Sequence, residues 1–194
     1  MILIIWEMRI PISISSVLLL FASCTGHTQQ QDSIPFKSEK FSRTATITLN
    51  WTIDKVFPLF GAFEERKWSP KWNPSLIYPE TEIIEEGTTF KTAGHGHGEG
   101  EFIWRVSRFD KINHSIQYLV SSENRWWTIT IQCNSSTDQK TQAEITYTFI
   151  GLNELGNEIN RHFIDAIYRD NLENWQVAIN EYLAELSGKG AKMR

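Results

Sequence analysis

Residues 143–186 read AEITYTFIGLNELGNEINRHFIDAIYRDNLENWQVAINEYLAEL, and the hydrophobic period changes partway along them. Ala143, Ile145, Tyr147 and Phe149 occupy every second position, the spacing of a half-buried strand. Beyond Asn153 the apolar residues are Ile159, Phe163, Ile167, Leu172, Trp175, Ile179, Tyr182 and Leu186. Their three-to-five-residue steps trace one stripe of a helix. A helix over Asn153–Leu186 would run about 50 Å, so a kink or break is expected near Gly156 or Asp170–Asn171. Gly188 is the expected stop, followed by a basic tail, 188–194.

Upstream of this switch the chain is almost all strand. Thr44–Leu49 alternates, with Ala45, Ile47 and Leu49 on one face. Asn50 and Thr52 are potential helix caps, and Val56, Phe57, Phe60 and Phe63 are spaced for short helical structure over Asp54–Arg66. The segment around Trp68-Ser-Pro, Trp72-Asn-Pro and Tyr78-Pro79 reads as an extended, turn-rich connection, because a residue preceding proline avoids the helical region. Six runs follow: Glu82–Glu85, Thr88–Thr92, Glu101–Phe109, Ser115–Ser121, Trp126–Cys133 and Ala143–Ile150. The short, polar and glycine-bearing connections imply an antiparallel meander. Phe102, Trp104 and Val106 share one inward face, and Trp127, Ile129, Ile131 and Cys133 another.

The chain has 194 residues with a net charge of −4, 41% of them hydrophobic and 22% charged, which suits one domain plus a short extra segment. A pI near 5.8 argues against non-specific nucleic-acid binding, which needs a basic surface. Eight Trp, eleven Phe and five Tyr are many rings for so small a domain, and they must fill a core or line a cavity.

The first 23 residues read as an address. Arg9 precedes the apolar run Ile10–Ala22, the layout of a secretory signal, and Met8 is an alternative start. Leu20-Phe-Ala-Ser-Cys24 resembles the lipobox of bacterial lipoproteins, departing from it at Phe21, where leucine is usual. That resemblance implies lipidation of Cys24, anchorage in the cell envelope and, with Thr25 rather than Asp following, an outer-membrane location facing the periplasm. Two or more acyl chains would make the attachment stable. Ordinary cleavage, with Cys24 a bystander, is the alternative. Residues 24–41 are polar and aperiodic and read as a tether with a reach of about 20–25 Å. Cys133 then lacks a disulfide partner and reads as a small buried hydrophobe.

An apolar sheet face needs a cover, and the C-terminal helix is the element available. The order strand, two short helices, six strands, long helix resembles the helix-grip fold of the START-like (SRPBCC) superfamily, an α+β architecture. In it a curved seven-stranded antiparallel sheet wraps around a long C-terminal helix. Val56-Phe-Pro-Leu-Phe60, Glu65, Trp68, Trp72-Asn-Pro74, Tyr78-Pro79, Gly87-Thr-Thr-Phe90, Ile103-Trp-Arg-Val-Ser-Arg-Phe-Asp110 and Thr146-Tyr-Thr148 are similar to its polyketide cyclase-like bacterial branch. The resemblance covers about 42–187 and implies a cavity between sheet and helix for a hydrophobic small molecule or lipid. Phe57, Phe60, Trp68, Trp72, Phe90, Trp104, Trp127, Tyr147, Phe163 and Trp175 are the expected lining, with Trp68 and Trp72 at the mouth.

Polar chemistry is sparse. His95, His97, Glu99 and Glu101 alternate and could share a face toward a divalent ion. The interleaved glycines suit a hairpin tip better, and no further ligand cluster supports a centre, so neither a metal nor any cofactor is assigned. G-x-S-x-G, H-E-x-x-H, C-x-x-C and P-loop patterns are missing from the sequence. Glu64–Glu65 and Glu85–Glu86 read as solvated pairs. Arg105 and Arg108 flank Trp104, where one could meet an acidic ligand head; Arg161 and His162 are placed outward without a role. The leading expectation is a membrane-tethered binding protein. The alternative is a cyclase- or hydrolase-like enzyme with Glu65, His97, Glu101 or Arg105 as acid–base candidates, and a third reading is an interaction domain with a vestigial pocket.

Overall fold

Alternation in the sequence becomes register in the sheet. The computed structural model describes residues 35–96, 98–137 and 139–192. The signal segment 1–23, Cys24 and the tether up to residue 34 lie outside the described residues, as does His97. The described residues form seven strands: β1 (Lys40–Leu49), β2 (Ser75–Tyr78), β3 (Thr89–Gly96), β4 (Glu99–Asp110), β5 (Ser115–Ser121), β6 (Arg125–Thr137) and β7 (Lys140–Gly151). They form one antiparallel sheet in the order β1-β7-β6-β5-β4-β3-β2. Ile145 lies opposite both Ala45 and Ile131, and Phe149 lies opposite Trp127, so inward rows meet across strands. Register shifts in four of the pairings bend the strands.

Two expectations at the sheet edge need correction. Glu82–Glu85 is not a strand: Thr88 Oγ1 donates to Ile83 O and accepts from Glu85 N–H, folding the segment into a turn. The seventh strand is instead β2, within the proline-punctuated connection, and it pairs with β3 through Leu76 opposite Phe90. The segment expected as helix over Asp54–Arg66 divides into α1 (Ile53–Val56) and two 3-10 turns, Phe57–Phe60 and Glu64–Lys67. Pro58 lacks the N–H that a continuing α-helix would need.

β1 also starts earlier than the alternation predicts. Asn157 Oδ1 accepts from Glu39 N–H while its Nδ2 donates to Lys37 O, and Ser38 Oγ donates to Gly151 O. Residues 37–41, expected to belong to the tether, are therefore bound to the domain.

The covering element is two helices, α2 (Glu154–Ile167) and α3 (Glu173–Lys192). Asn153 caps α2 by accepting from Gly156 N–H at 2.8 Å. The break falls at the second of the two expected places, with Asn171 and Leu172 at φ 48° and 60°. Left-handed backbone costs about 1–2 kcal/mol at a non-glycine residue. Burial of Leu172 and of Tyr168, whose hydroxyl donates to Ile145 O and accepts from Tyr147 N–H, offsets that cost. Gly188 does not stop α3, which continues to Lys192. Among the described residues, no helix is long and apolar enough to cross a membrane.

Gly156 lies inside α2, where a Cβ would stand 1.9 Å from Asn124 O. Gly156→Ala is expected to lower stability by about 1–3 kcal/mol, as overpacking does. Gly188→Ala, facing open space, should be neutral or stabilising by up to about 1 kcal/mol. Urea midpoints of the two variants provide the check.

Candidate functional site

Between the sheet and the helices lies a cavity of about 220 Å³. Eight of the ten expected lining residues border it: Phe60, Trp72, Phe90, Trp104, Trp127, Tyr147, Phe163 and Trp175. Ala62, Glu65, Tyr118, Ile129, Ile131, Phe149 and Ile167 complete the wall. The half-buried members are Glu65 and Trp72 from the loop region and Phe163, Ile167 and Trp175 from the helices, and these mark the mouth. The strand residues form a buried floor.

The other two expected residues do not border this cavity. Phe57 is buried elsewhere, stacked on Phe109 at 5.9 Å and edge-on to His114 at 5.4 Å. Trp68 is a core residue: its Nε1 donates to Leu59 O at 2.8 Å and its ring packs on Trp175 at 5.4 Å. The expectation that Trp68 sits at the mouth is thus not met. The connection there folds inward around two backbone carbonyls, Leu59 O for Trp68 and Ala62 O for Trp72, whose Nε1 donates at 2.5 Å.

Trp72, Phe90 and Trp104 form a contiguous ring cluster, Trp72 edge-on to Trp104 at 5.1 Å and Phe90 stacked on Trp104 at 5.6 Å. Such offset and edge contacts add about 0.5–1.5 kcal/mol each beyond area burial. Trp104 Nε1 is satisfied by Thr92 Oγ1 and the Tyr118 hydroxyl by Phe60 O. These rings consequently offer a ligand mainly their faces.

Glu65 is the ionisable exception, and the expectation of a solvated Glu64–Glu65 pair fails for it. Glu64 and Lys67 form an ion pair, and Arg66 grips Glu82 with two hydrogen bonds of 2.8 and 2.9 Å while donating to Pro74 O. With its neighbours turned outward, Glu65 points into the cavity. Its carboxyl has no hydrogen-bond partner among the described residues, and burial pushes its pKa from 4.5 up to about 8. Tyr118 and Tyr147 titrate above their usual value, first through burial and then through the nearby Glu65 charge.

The remaining acid–base candidates stand elsewhere. Arg105 and Arg108 are exposed on the outer face, which removes Arg105 from any cavity chemistry. Glu101 is also exposed and pairs with Lys91 at 2.6 Å. Arg161, outward as expected, pairs with Glu39 at 2.7 Å. Glu99 is buried, because the register slip between Ala93 and Gly96 turns it inward while Glu101 remains outside. The shared face that a regular strand would give these residues is therefore lost, and among the described residues no cluster of three metal-ligating side chains occurs.

The sequence reading missed the partner of Glu99. Arg125 is fully buried and donates through Nε and Nη2 to the two carboxylate oxygens at 2.8 and 2.6 Å. Its guanidinium lies 4.7 Å from the Trp127 ring centroid and 4.3 Å from that of Phe163. Asn160 Oδ1 accepts from Nη1 at 3.4 Å, leaving Asn160 Nδ2 buried without a partner among the described residues. One signal was available: Asn153, Asn157 and Asn160 put a polar row on the buried side of an otherwise amphipathic helix. Cys133 is buried as expected, its thiol pushed up to about 12 by burial.

The architecture is the helix-grip fold. Norcoclaurine synthase from Thalictrum flavum, in a complex with dopamine and hydroxybenzaldehyde, superposes with a TM-score of 0.58 at 10% identity, over 76% of this chain and 88% of that one. The Zhui aromatase/cyclase from Streptomyces sp. R1128 gives 0.58 at 13% identity, over 76% and 96%. Ara h 8.0201 gives 0.54 at 14%, over 77% and 99%. No family model and no curated protein sequence matches the chain.

Glu65 makes stability depend on pH. Its folded pKa stands above its unfolded value, so the folded chain keeps a proton that the unfolded chain releases between pH 4.5 and about 8. The destabilisation is absent below that window, grows through it and is complete above it. Glu82 and Asp110, whose pKa values are lowered by hydrogen bonds from Arg66 and Asn113, act only below the window. The melting temperature should fall from pH 5 to 8.5, and in Glu65→Gln it should fall less; calorimetry at both pH values checks this.

Proposed function

We propose that the domain binds a small, ring-bearing apolar molecule in the cavity between sheet and helices. The observation that carries this reading is a cavity of about 220 Å³ with aromatic walls and, among the described residues, a single carboxyl group. An apolar cavity of about 150 Å³ is enough to bind benzene, so the space suits one or two rings or a short acyl chain. A two-chain lipid needs several times that volume, which narrows the ligand to the small-molecule side of the original expectation. The aromatic ligands in the norcoclaurine synthase complex support the same size class. The lipobox resemblance supports the finer reading that the domain is held at a bacterial membrane through Cys24, in the outer membrane facing the periplasm.

A second reading has one observation in its favour. A carboxyl group in an apolar cavity with a pKa near 8 is poised for proton transfer at neutral pH. In a cyclase-like or hydrolase-like reaction, Glu65 would be the acid or base. Under that reading, Glu65→Gln abolishes turnover while retaining ligand affinity.

Residues 25–194 titrated with naphthalene-sized fluorescent probes test the binding reading. Trp72→Ala should weaken binding about tenfold, with a smaller loss of melting temperature than Trp68→Ala, which removes a core ring and should cost about 3–5 kcal/mol. Failure of the wild-type domain to bind any such probe would discard the reading. For the anchor, Cys24→Ala expressed in a bacterium should move the protein from the membrane to the soluble fraction, and unchanged partitioning would dismiss lipidation.

A further inference from the structure

An aromatic cavity that holds one unpaired carboxyl group is chemically asymmetric. Ten of its fifteen described lining residues carry rings, and Glu65 is the sole acid among them, with no Lys, Arg or His among the described residues of the wall. The buried cation among the described residues, Arg125, lies against Trp127, Phe149 and Phe163 and is already committed to Glu99. Ring faces are negative, and together with a carboxylate they attract a cation that has been stripped of water. The protein already contains one such arrangement, since Arg125 is held by Glu99 and stacked on rings at full burial. At Glu65 the carboxyl group and rings are present and the cation is not supplied by the described chain.

We propose that the cavity recognises a small organic cation, its ammonium group held by the Glu65 carboxylate against Trp72, Trp104 and Trp175 and its apolar body filling the space toward Ile129 and Ile131. The inference rests on the reading that the cavity binds a small apolar molecule, and adds the charge of that molecule. Binding has a defined proton balance. Near neutral pH the empty site keeps Glu65 protonated; the arriving cation takes the place of that proton, which leaves to solvent. The other titratable groups facing Glu65 are Tyr118 on β5 and Tyr147 on β7, both held neutral by burial. β3, β4, α2 and α3 contribute Phe90, Trp104, Phe163, Ile167 and Trp175 to the wall, none of which titrates. On Glu65's own turn, Glu64, Arg66 and Lys67 are engaged outward.

The test uses benzyltrimethylammonium, whose charge does not titrate, and its neutral carbon isostere neopentylbenzene, with residues 25–194 and isothermal calorimetry. The cation should bind about tenfold or more tightly at pH 9 than at pH 6, because Glu65 is mostly ionised only at the higher pH. At pH 7 its binding should release close to one proton, read from the dependence of heat on buffer ionisation. The isostere should bind without proton release or pH dependence. In Glu65→Gln the proton release should vanish and the cation should lose its advantage, with isostere binding retained; the wild-type pH series stands alone if that variant misfolds. Isostere binding as tight as cation binding at pH 9, or affinity that falls as pH rises, would overturn the cation and leave the cavity reading intact. Absence of binding by either probe would overturn the cavity reading and this inference with it.

Discussion

The ion pair between Arg125 and Glu99 is the interaction on which the rest of the architecture turns. Burying two charges costs several kcal/mol per ion and is tolerated only with near-ideal geometry and further hydrogen bonds. Both conditions are met: the fork is bidentate, Ser122 Oγ donates to Glu99 at 2.6 Å, and rings cover the guanidinium. The pair joins the β3–β4 hairpin to the start of β6, and Phe163 and Asn160 bring α2 into the same assembly. Adjacent backbone completes the junction, with Leu152 N–H donating to Asn124 O and Asn153 Nδ2 to Asn124 Oδ1. That close packing is why α2 carries glycine at position 156.

Away from this junction the interior is a lattice of rings around a gap, its polar ring atoms tied to Leu59 O, Ala62 O, Phe60 O and Thr92. Trp127 packs on Phe149 at 5.7 Å and on Trp104 at 6.2 Å, so the floor of the cavity continues the wall that shields Arg125. Interior packing normally approaches crystal density, and the space left open here borders the Glu65 carboxyl group, which has no hydrogen-bond partner among the described residues. The two features reinforce each other physically. Low polarity around Glu65 raises its pKa, and the same low polarity strengthens any interaction it makes with a ligand. A group that destabilises the empty fold above pH 4.5 is thereby one that a bound partner can stabilise.

Much of the fold was legible because it depends on local periodicity. Six of the seven strands were legible as runs, and alternation supplied the inward faces of β1, β4, β6 and β7. β2 was hidden, since four residues between prolines carry no usable period, and edge pairing with β3 alone makes them a strand. At the site, most of the rings were visible as inward positions, and Trp68 and Trp72 look alike in sequence. Which of them is core and which is lining depends on how one connection folds around Leu59 O and Ala62 O.

Glu65 shows the same division most sharply. In the sequence Glu64-Glu65-Arg66-Lys67 it is one of four consecutive charges, read both as half of a solvated pair and as an acid–base candidate. Residue spacing along single segments was enough for the strands, the meander and the amphipathic cover, and composition for the excess of rings, while the break in the cover was left between two places. Tertiary structure alone decided that Glu65 turns inward without a cation, that Glu99 meets Arg125, and that the rings leave a gap. Those outcomes depend on groups from distant strands and helices arriving at the same point, where burial, not composition, sets the charge state and the fit.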